Sequence, residues 1–190
     1  EGFDPIIEGF DHVPFNDLEA MERAIQPQTI AIMVEPIQGE GGMVFPTPDY
    51  LPGLRRLCNE HDLLLILDEV WTGCGRTGRY FAHQHWLGEG QEPDIMTLAK
   101  GIGGGLAVGA ICAKAHVAEH FDWRKHGRSV HATTLGANCL AMAVTRAIFR
   151  VLERDGLVEK AQEMSLRQLA TILGASQPFL TQIRAGKRLM

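Results

Sequence analysis

No apolar run in this 190-residue chain is long enough to cross a bilayer. The longest purely aliphatic stretch is residues 63–67, against the roughly 20 residues that a spanning helix needs. The N-terminus, Glu1-Gly2-Phe3-Asp4, has neither the basic start nor the apolar core of a secretory signal. It also lacks an initiator Met, as expected of a sequence that begins inside a longer gene. Cysteine is sparse: Cys58, Cys74, Cys112 and Cys139 are scattered and form no C-x-x-C pair. That pattern argues against a disulfide frame or a zinc site and implies small, buried, reduced thiols in a cytoplasmic protein. Acid is missing from the last 26 residues, which hold Arg167, Arg184, Lys187 and Arg188 and carry +4, leaving −9 on residues 1–164. The acidic body is a poor partner for nucleic acid, whereas the basic tail suits phosphate. There is no internal repeat and no low-complexity tract. With 45% hydrophobic residues the composition is that of a globular protein, one domain and a small appendage.

Apolar positions 18, 21, 24 and 25 recur at helical spacing behind a capping candidate, Asn16, and Pro27 ends the pattern. Residues 29–35 form a compact apolar run stopped by Pro36, as expected of a strand buried on both faces of a parallel sheet. A loop at 38–42 leads to a helix over 49–61, with Leu51, Leu54, Leu57 and Cys58 inward, and then to a second apolar strand over 63–68. Further on, 80–87 reads as a short helix, 94–98 and 107–113 as strands, and 101–105 as the turn between them. A long helix is expected over 138–154, with Leu140, Ala143, Val144, Ala147, Ile148, Val151 and Leu152 on its apolar face and Asp155-Gly156 closing it. This alternation specifies an α/β domain with a mostly parallel sheet and flanking helices.

In open α/β sheets ligands sit beyond the carboxyl ends of the strands. Four polar, glycine-rich segments lie there: residues 35–42 (EPIQGEGG), 67–78 (LDEVWTGCGRTG), 97–105 (TLAKGIGGG) and 131–138 (HATTLGAN). By itself Lys100, before a glycine-rich turn, reads as a surface or phosphate-contacting residue. Asp68 is more telling, because a carboxylate ending a buried strand is costly unless a partner receives it. Together they suggest imine chemistry: an amine can hold an aldehyde cofactor as a Schiff base, while a carboxylate keeps a pyridine nitrogen protonated.

In this order the four motifs resemble those of class III aminotransferases of fold type I, and residues 30–164 are similar throughout to acetylornithine and related ω-aminotransferases. The resemblance implies pyridoxal 5′-phosphate as cofactor, and amino-acid and 2-oxo-acid substrates such as acetylornithine and 2-oxoglutarate. It implies Lys100 as the residue that holds the cofactor aldehyde and moves the proton, and Asp68 as partner of the pyridinium nitrogen. Val70, two residues on along an extended backbone, would face the ring. Thr134 would reach the cofactor phosphate of a neighbouring subunit, so a homodimer is implied. Glu40 matches an acid that gates substrates by pairing with a substrate-binding arginine, with Glu35 nearby. Trp71 stands where many members have a Gln that hydrogen-bonds the cofactor's 3′ oxygen, and its indole N–H is a candidate replacement. Ala137 and Cys139 replace a common Gly and a common Pro. Relative to that family the chain lacks the upstream phosphate loop, the stacking aromatic and the C-terminal domain, so residues 1–164 are expected to be a partial large domain whose activity alone is open.

Among other polar residues, His83 and His85 read as solvated or packing residues rather than metal ligands. Arg76 reads as a partner or phosphate contact or a structural ion pair, and Trp86 and Trp123 as packing residues. Residues 165–190 form a short α-helical tail that resembles the helix-turn-helix of Cro-like regulators, in which Gln177, Thr181 and Arg184 would face DNA. A DNA-binding regulator and an inactive gene fragment are thus the competing readings, although the tail lacks the flanking helices that build such a domain's core.

Overall fold

The structure, a computed structural model, describes residues 7–129 and 131–163. Helix α1 (Leu18–Ala24) is capped by Asp17, whose carboxylate accepts the Ala20 N–H at 2.8 Å. Asn16, the expected cap, has a left-handed backbone and instead staples the loop after β1, donating to Phe45 O and accepting from Thr47 N. Strand β1 (Ala31–Val34) and strand β2 (Leu64–Asp68) are joined by α2 (Tyr50–Glu60). Strands β3 (Ile95–Leu98) and β4 (Ala110–Ala113) follow. The sheet order is β1-β2-β3-β4, parallel through β3, with β4 antiparallel to β3. The chain reverses direction over residues 99–109, which include the 3-10 helix Lys100–Gly103.

Helix α2 buries Leu51, Leu54, Leu57 and Cys58, as its spacing specifies, and these pack with Ile32, Leu65 and Leu67 in the main core. Burial pushes the Cys58 thiol up to about 11, so it behaves as a small apolar side chain. Cys112 and Cys139, expected buried, are exposed, and Cys74 is half-buried. Strand β1 is not covered on both faces: Ile32 is buried, but Met33 on the opposite face is exposed, as is Ile30 just before the strand. Short helices α3 (Ala115–Ala118) and α4 (Trp123–His126) were not signalled by any period. Trp123 there is exposed, whereas Trp86 packs on the main core as expected.

Helix α5 (Cys139–Arg154) starts at Asn138, whose side chain accepts from the Leu140 and Ala141 N–H groups, and α6 (Leu157–Glu163) follows. The inward face of α5 is rotated by about one position from the expected one, within the drift a 3.6-residue period allows. Ala141 is buried and Phe149 packs on the second core of Met96, Leu98 and Ile102, while Leu140 and Val151 face outward. Ile148 seats on Gly104, where a Cβ would come within 2.5 Å of its Cδ1. The long helix is thereby anchored on the turn that carries Lys100.

Candidate active site

Parallel pairing of β2 with β3 puts Asp68 opposite Thr97, so both strands end at one level of the sheet. Asp68 is the last residue of β2, and Lys100 stands two residues beyond β3 at the start of the 3-10 turn Lys100–Gly103. Lys100 has φ +47, a left-handed conformation for a residue with a side chain. Such backbone costs on the order of 1 kcal/mol or more and persists only where the surroundings fix it. Here β3 and Ile148 bracket the turn.

The loop after β1 closes on the same end. Glu35 Oε2 accepts the Gly39 N–H at 3.1 Å, and Gln38 and Val44 exchange two backbone hydrogen bonds across the loop. Glu40, at the tip, has an exposed carboxylate 3.9 Å from Lys100 Nζ, the one acid within ion-pair range of that amine among the described residues. Glu35 is therefore engaged in shaping the loop, and Glu40 is the acid presented to Lys100.

Asp68 Oδ1 accepts the Val70 N–H at 2.9 Å. That bond bends the chain immediately, so Val70 sits in a turn rather than on the extended backbone expected from the sequence. No second hydrogen bond or ion pair engages Asp68 among the described residues, which leaves its other oxygen available as an acceptor. Trp71 packs on the Glu40 loop: a Cβ at Gly39 would lie 3.0 Å from the indole. Arg76 makes no ion pair among the described residues and instead stands over the Trp71 ring, 5.4 Å from its centroid. Asp68, Trp71, Glu40 and Lys100 thus converge from three loops. Thr134 is exposed in the loop before α5, with no hydrogen bond to that group among the described residues.

Sequence reading missed Glu69. Its side chain is fully buried directly behind Asp68, beside His83. Glu69 Oε1 accepts the His83 N–H at 2.8 Å and lies 3.0 Å from His83 Nδ1, while Oε2 accepts the Ala82 N–H at 3.0 Å and the Thr72 hydroxyl. Burial pushes the Glu69 carboxyl up, but the donors from His83, Thr72 and Ala82 together outweigh it and hold the group below the ordinary range. His83 is accordingly a buried partner of a carboxylate, whereas the exposed His85 lies 3.0 Å from the Thr77 carbonyl. The only sequence signal was a second acid directly after Asp68.

The donor set fits pyridoxal phosphate: an amine and an unpaired carboxylate oxygen at the ends of adjacent strands can meet an aldehyde and a pyridinium on one ring. Residues 3–188 match the family described as Aminotransferase class-III, so the match continues past Met164. Gln177, Thr181 and Arg184, read as DNA contacts, fall within that match and outside the described residues. The acetylornithine aminotransferase of Agrobacterium fabrum is 51% identical over 166 residues, 87% of this chain and 40% of that protein. That of Brucella melitensis biotype 1 is 45% identical over 193 residues, covering 100% of this chain and 46% of its own. Ornithine aminotransferase of Toxoplasma gondii, solved with pyridoxal phosphate partly occupying its active site, matches with a TM-score of 0.75 at 36% identity, over 83% of this chain and 36% of that one. The chain spans less than half the length of these relatives. Agreement in sequence across nearly the whole chain, and in fold at substantial identity, leads to one conclusion: the chain belongs to the class-III aminotransferase family.

Proposed function

We propose that this chain carries the cofactor-binding part of a pyridoxal-phosphate enzyme that transfers the ω-amino group of an acetylornithine-like amino acid to 2-oxoglutarate. The observation that carries the reading is the placement of Asp68 at the end of β2 and of Lys100 two residues past the parallel β3, with Glu40 beside the amine. When bound, pyridoxal phosphate supplies an aldehyde and an electron-accepting ring. Asp68 would offer its free oxygen to the ring N–H, holding that proton in place. Lys100 Nζ would hold the aldehyde carbon and later carry a proton to and from it. Glu40, exposed at its loop tip, is placed to exchange Lys100 for another cation as substrates alternate. Trp71 would close the site between the Glu40 loop and the turn after β2, its ring replacing an amide at that edge. Glu35 supports this by fixing the loop that carries Glu40.

Thr134 belongs to the same reading as a contact to the phosphate in a neighbouring subunit, which makes the working form a homodimer with shared sites. Its exposure supports that assignment. The four cysteines are free, which suits a cytoplasmic setting. No helix among the described residues is long and apolar enough to cross a membrane.

The test is formation of glutamate from N-acetylornithine and 2-oxoglutarate with added pyridoxal phosphate. Turnover that falls about 10³-fold or more in Lys100→Ala, the scale of a lost proton-transfer group, is the expected result. Equal turnover by the variant, or equal borohydride-fixed cofactor on the two proteins, would sink the proposal.

A further inference from the structure

We infer that Glu69 is a positioning residue of the cofactor site, a buried carboxylate that fixes the turn bearing Val70 and Trp71 against the strand that leads to Lys100. The inference rests on the cofactor reading above, because what Glu69 positions is the edge of that site.

Alternation along β2 sends Asp68 and the residue after it to opposite sides, so Asp68 reaches the site while Glu69 reaches the protein interior. Three other pieces of chain meet on Glu69. Its N–H donates to Thr97 O at 3.0 Å, extending the β2–β3 ladder one residue past Asp68. Its carbonyl accepts the Gly73 N–H at 2.9 Å, closing the turn that contains Val70 and Trp71. Its carboxylate takes the Thr72 hydroxyl from the same turn, and the Ala82 and His83 N–H groups from the 3-10 helix Ala82–His85. Gly73 completes the packing: a Cβ there would lie 2.8 Å from Glu69 O and 2.9 Å from Leu98 Cδ2. The end of β3, two residues before Lys100, therefore touches the turn that Glu69 holds.

A purely structural salt link would not be built this way. Two backbone N–H groups, the Thr72 hydroxyl and, 3.0 Å away, His83 Nδ1 surround the carboxylate, so it sets the geometry of the turn and of the 3-10 helix besides meeting one side chain. The titratable groups facing it are His83 and Cys74, and burial followed by the nearby Glu69 charge raises the Cys74 thiol. Loss of the Thr72 tether frees Trp71 from Gly39 and displaces Val70, whose N–H restrains Asp68.

The experiment is titration of the full chain with pyridoxal phosphate, followed by the visible absorbance band and its dependence on pH, for the unaltered protein, Glu69→Gln and Thr72→Val. Circular dichroism confirms that each variant is folded at the titration temperature. Each folded variant is expected to bind the cofactor about tenfold more weakly, the scale of one hydrogen bond to a charged group, and to shift the midpoint of the band's pH profile. Thr72→Val keeps side-chain size and the carboxylate, so it decides the matter if Glu69→Gln does not fold. A lower thermal midpoint with unchanged affinity and band would show a structural role only and overturn the inference. Absence of a Lys100-dependent band in the unaltered protein would instead remove the cofactor reading, and the inference with it.

Discussion

At the scale of single residues, Asp68 and Glu69 show how one step along a strand end divides two carboxylates between tasks. Asp68 keeps an oxygen free at the site, while every acceptor on Glu69 is directed inward. The folded Glu69 carboxyl lies below its ordinary value, so it contributes stability that is fully present above the unfolded value of about 4.3. That contribution is lost as pH falls through the folded value. Urea midpoints measured between about pH 7 and about pH 3 should therefore fall less steeply for Glu69→Gln than for the unaltered protein. Parallel pH dependences would show that Glu69 is not the anion described. Asp68 and Lys100 were legible in the sequence because each follows an apolar run ending at the ligand edge of the sheet. Glu69 was not, since nothing in a one-dimensional pattern reports that the chain turns back thirteen residues later to bring Ala82 and His83 onto it.

At the scale of elements, the strands and α2 were readable because a parallel sheet buries continuous apolar runs and α2 presents one apolar stripe. Other elements turned on competition that pattern alone does not resolve. Asn16 and Asp17 are equally good caps, and the loop contact to Phe45 and Thr47 decided between them. The face of α5 kept Ile148 on Gly104 as expected, but turned Ala141 and Phe149 inward in place of Leu140 and Val151. At the opposite end of the sheet, Asp94 binds three elements together. Its carboxylate meets Arg55 of α2 at 2.7 Å, the Leu65 N–H of β2 at 2.8 Å and Lys114, just after β4, at 3.0 Å. Burial opposes the Asp94 charge, but these donors hold its carboxyl below the usual range. Removing it strands Arg55, whose side chain is nearly inaccessible. Asp94→Ala should cost about 3–5 kcal/mol in urea unfolding, the range for breaking a buried ion pair from one side. A loss under about 1 kcal/mol, typical of a surface pair, would contradict this account.

At the scale of the whole molecule, the sheet delivers Asp68, Trp71, Glu40 and Lys100 to one edge and leaves apolar surface open elsewhere. Ile111 on β4, Phe121 and Leu135 are exposed around a groove beside β4, and Ile30 and Met33 are exposed along β1. These faces lie on the described part of a chain that spans 40% and 46% of two relatives. The family was legible from four motifs in register, whereas the open faces were not, because periodicity reports that a face is apolar and not what covers it. The central claim is that Lys100 is the cofactor-bearing amine. Its most direct test is borohydride reduction of the protein with pyridoxal phosphate, followed by peptide mapping, with Lys100→Ala treated in parallel. The account requires stoichiometric label on the peptide containing Lys100 and none at matching yield in the variant. Label spread over surface lysines, or equal in both proteins, would contradict it.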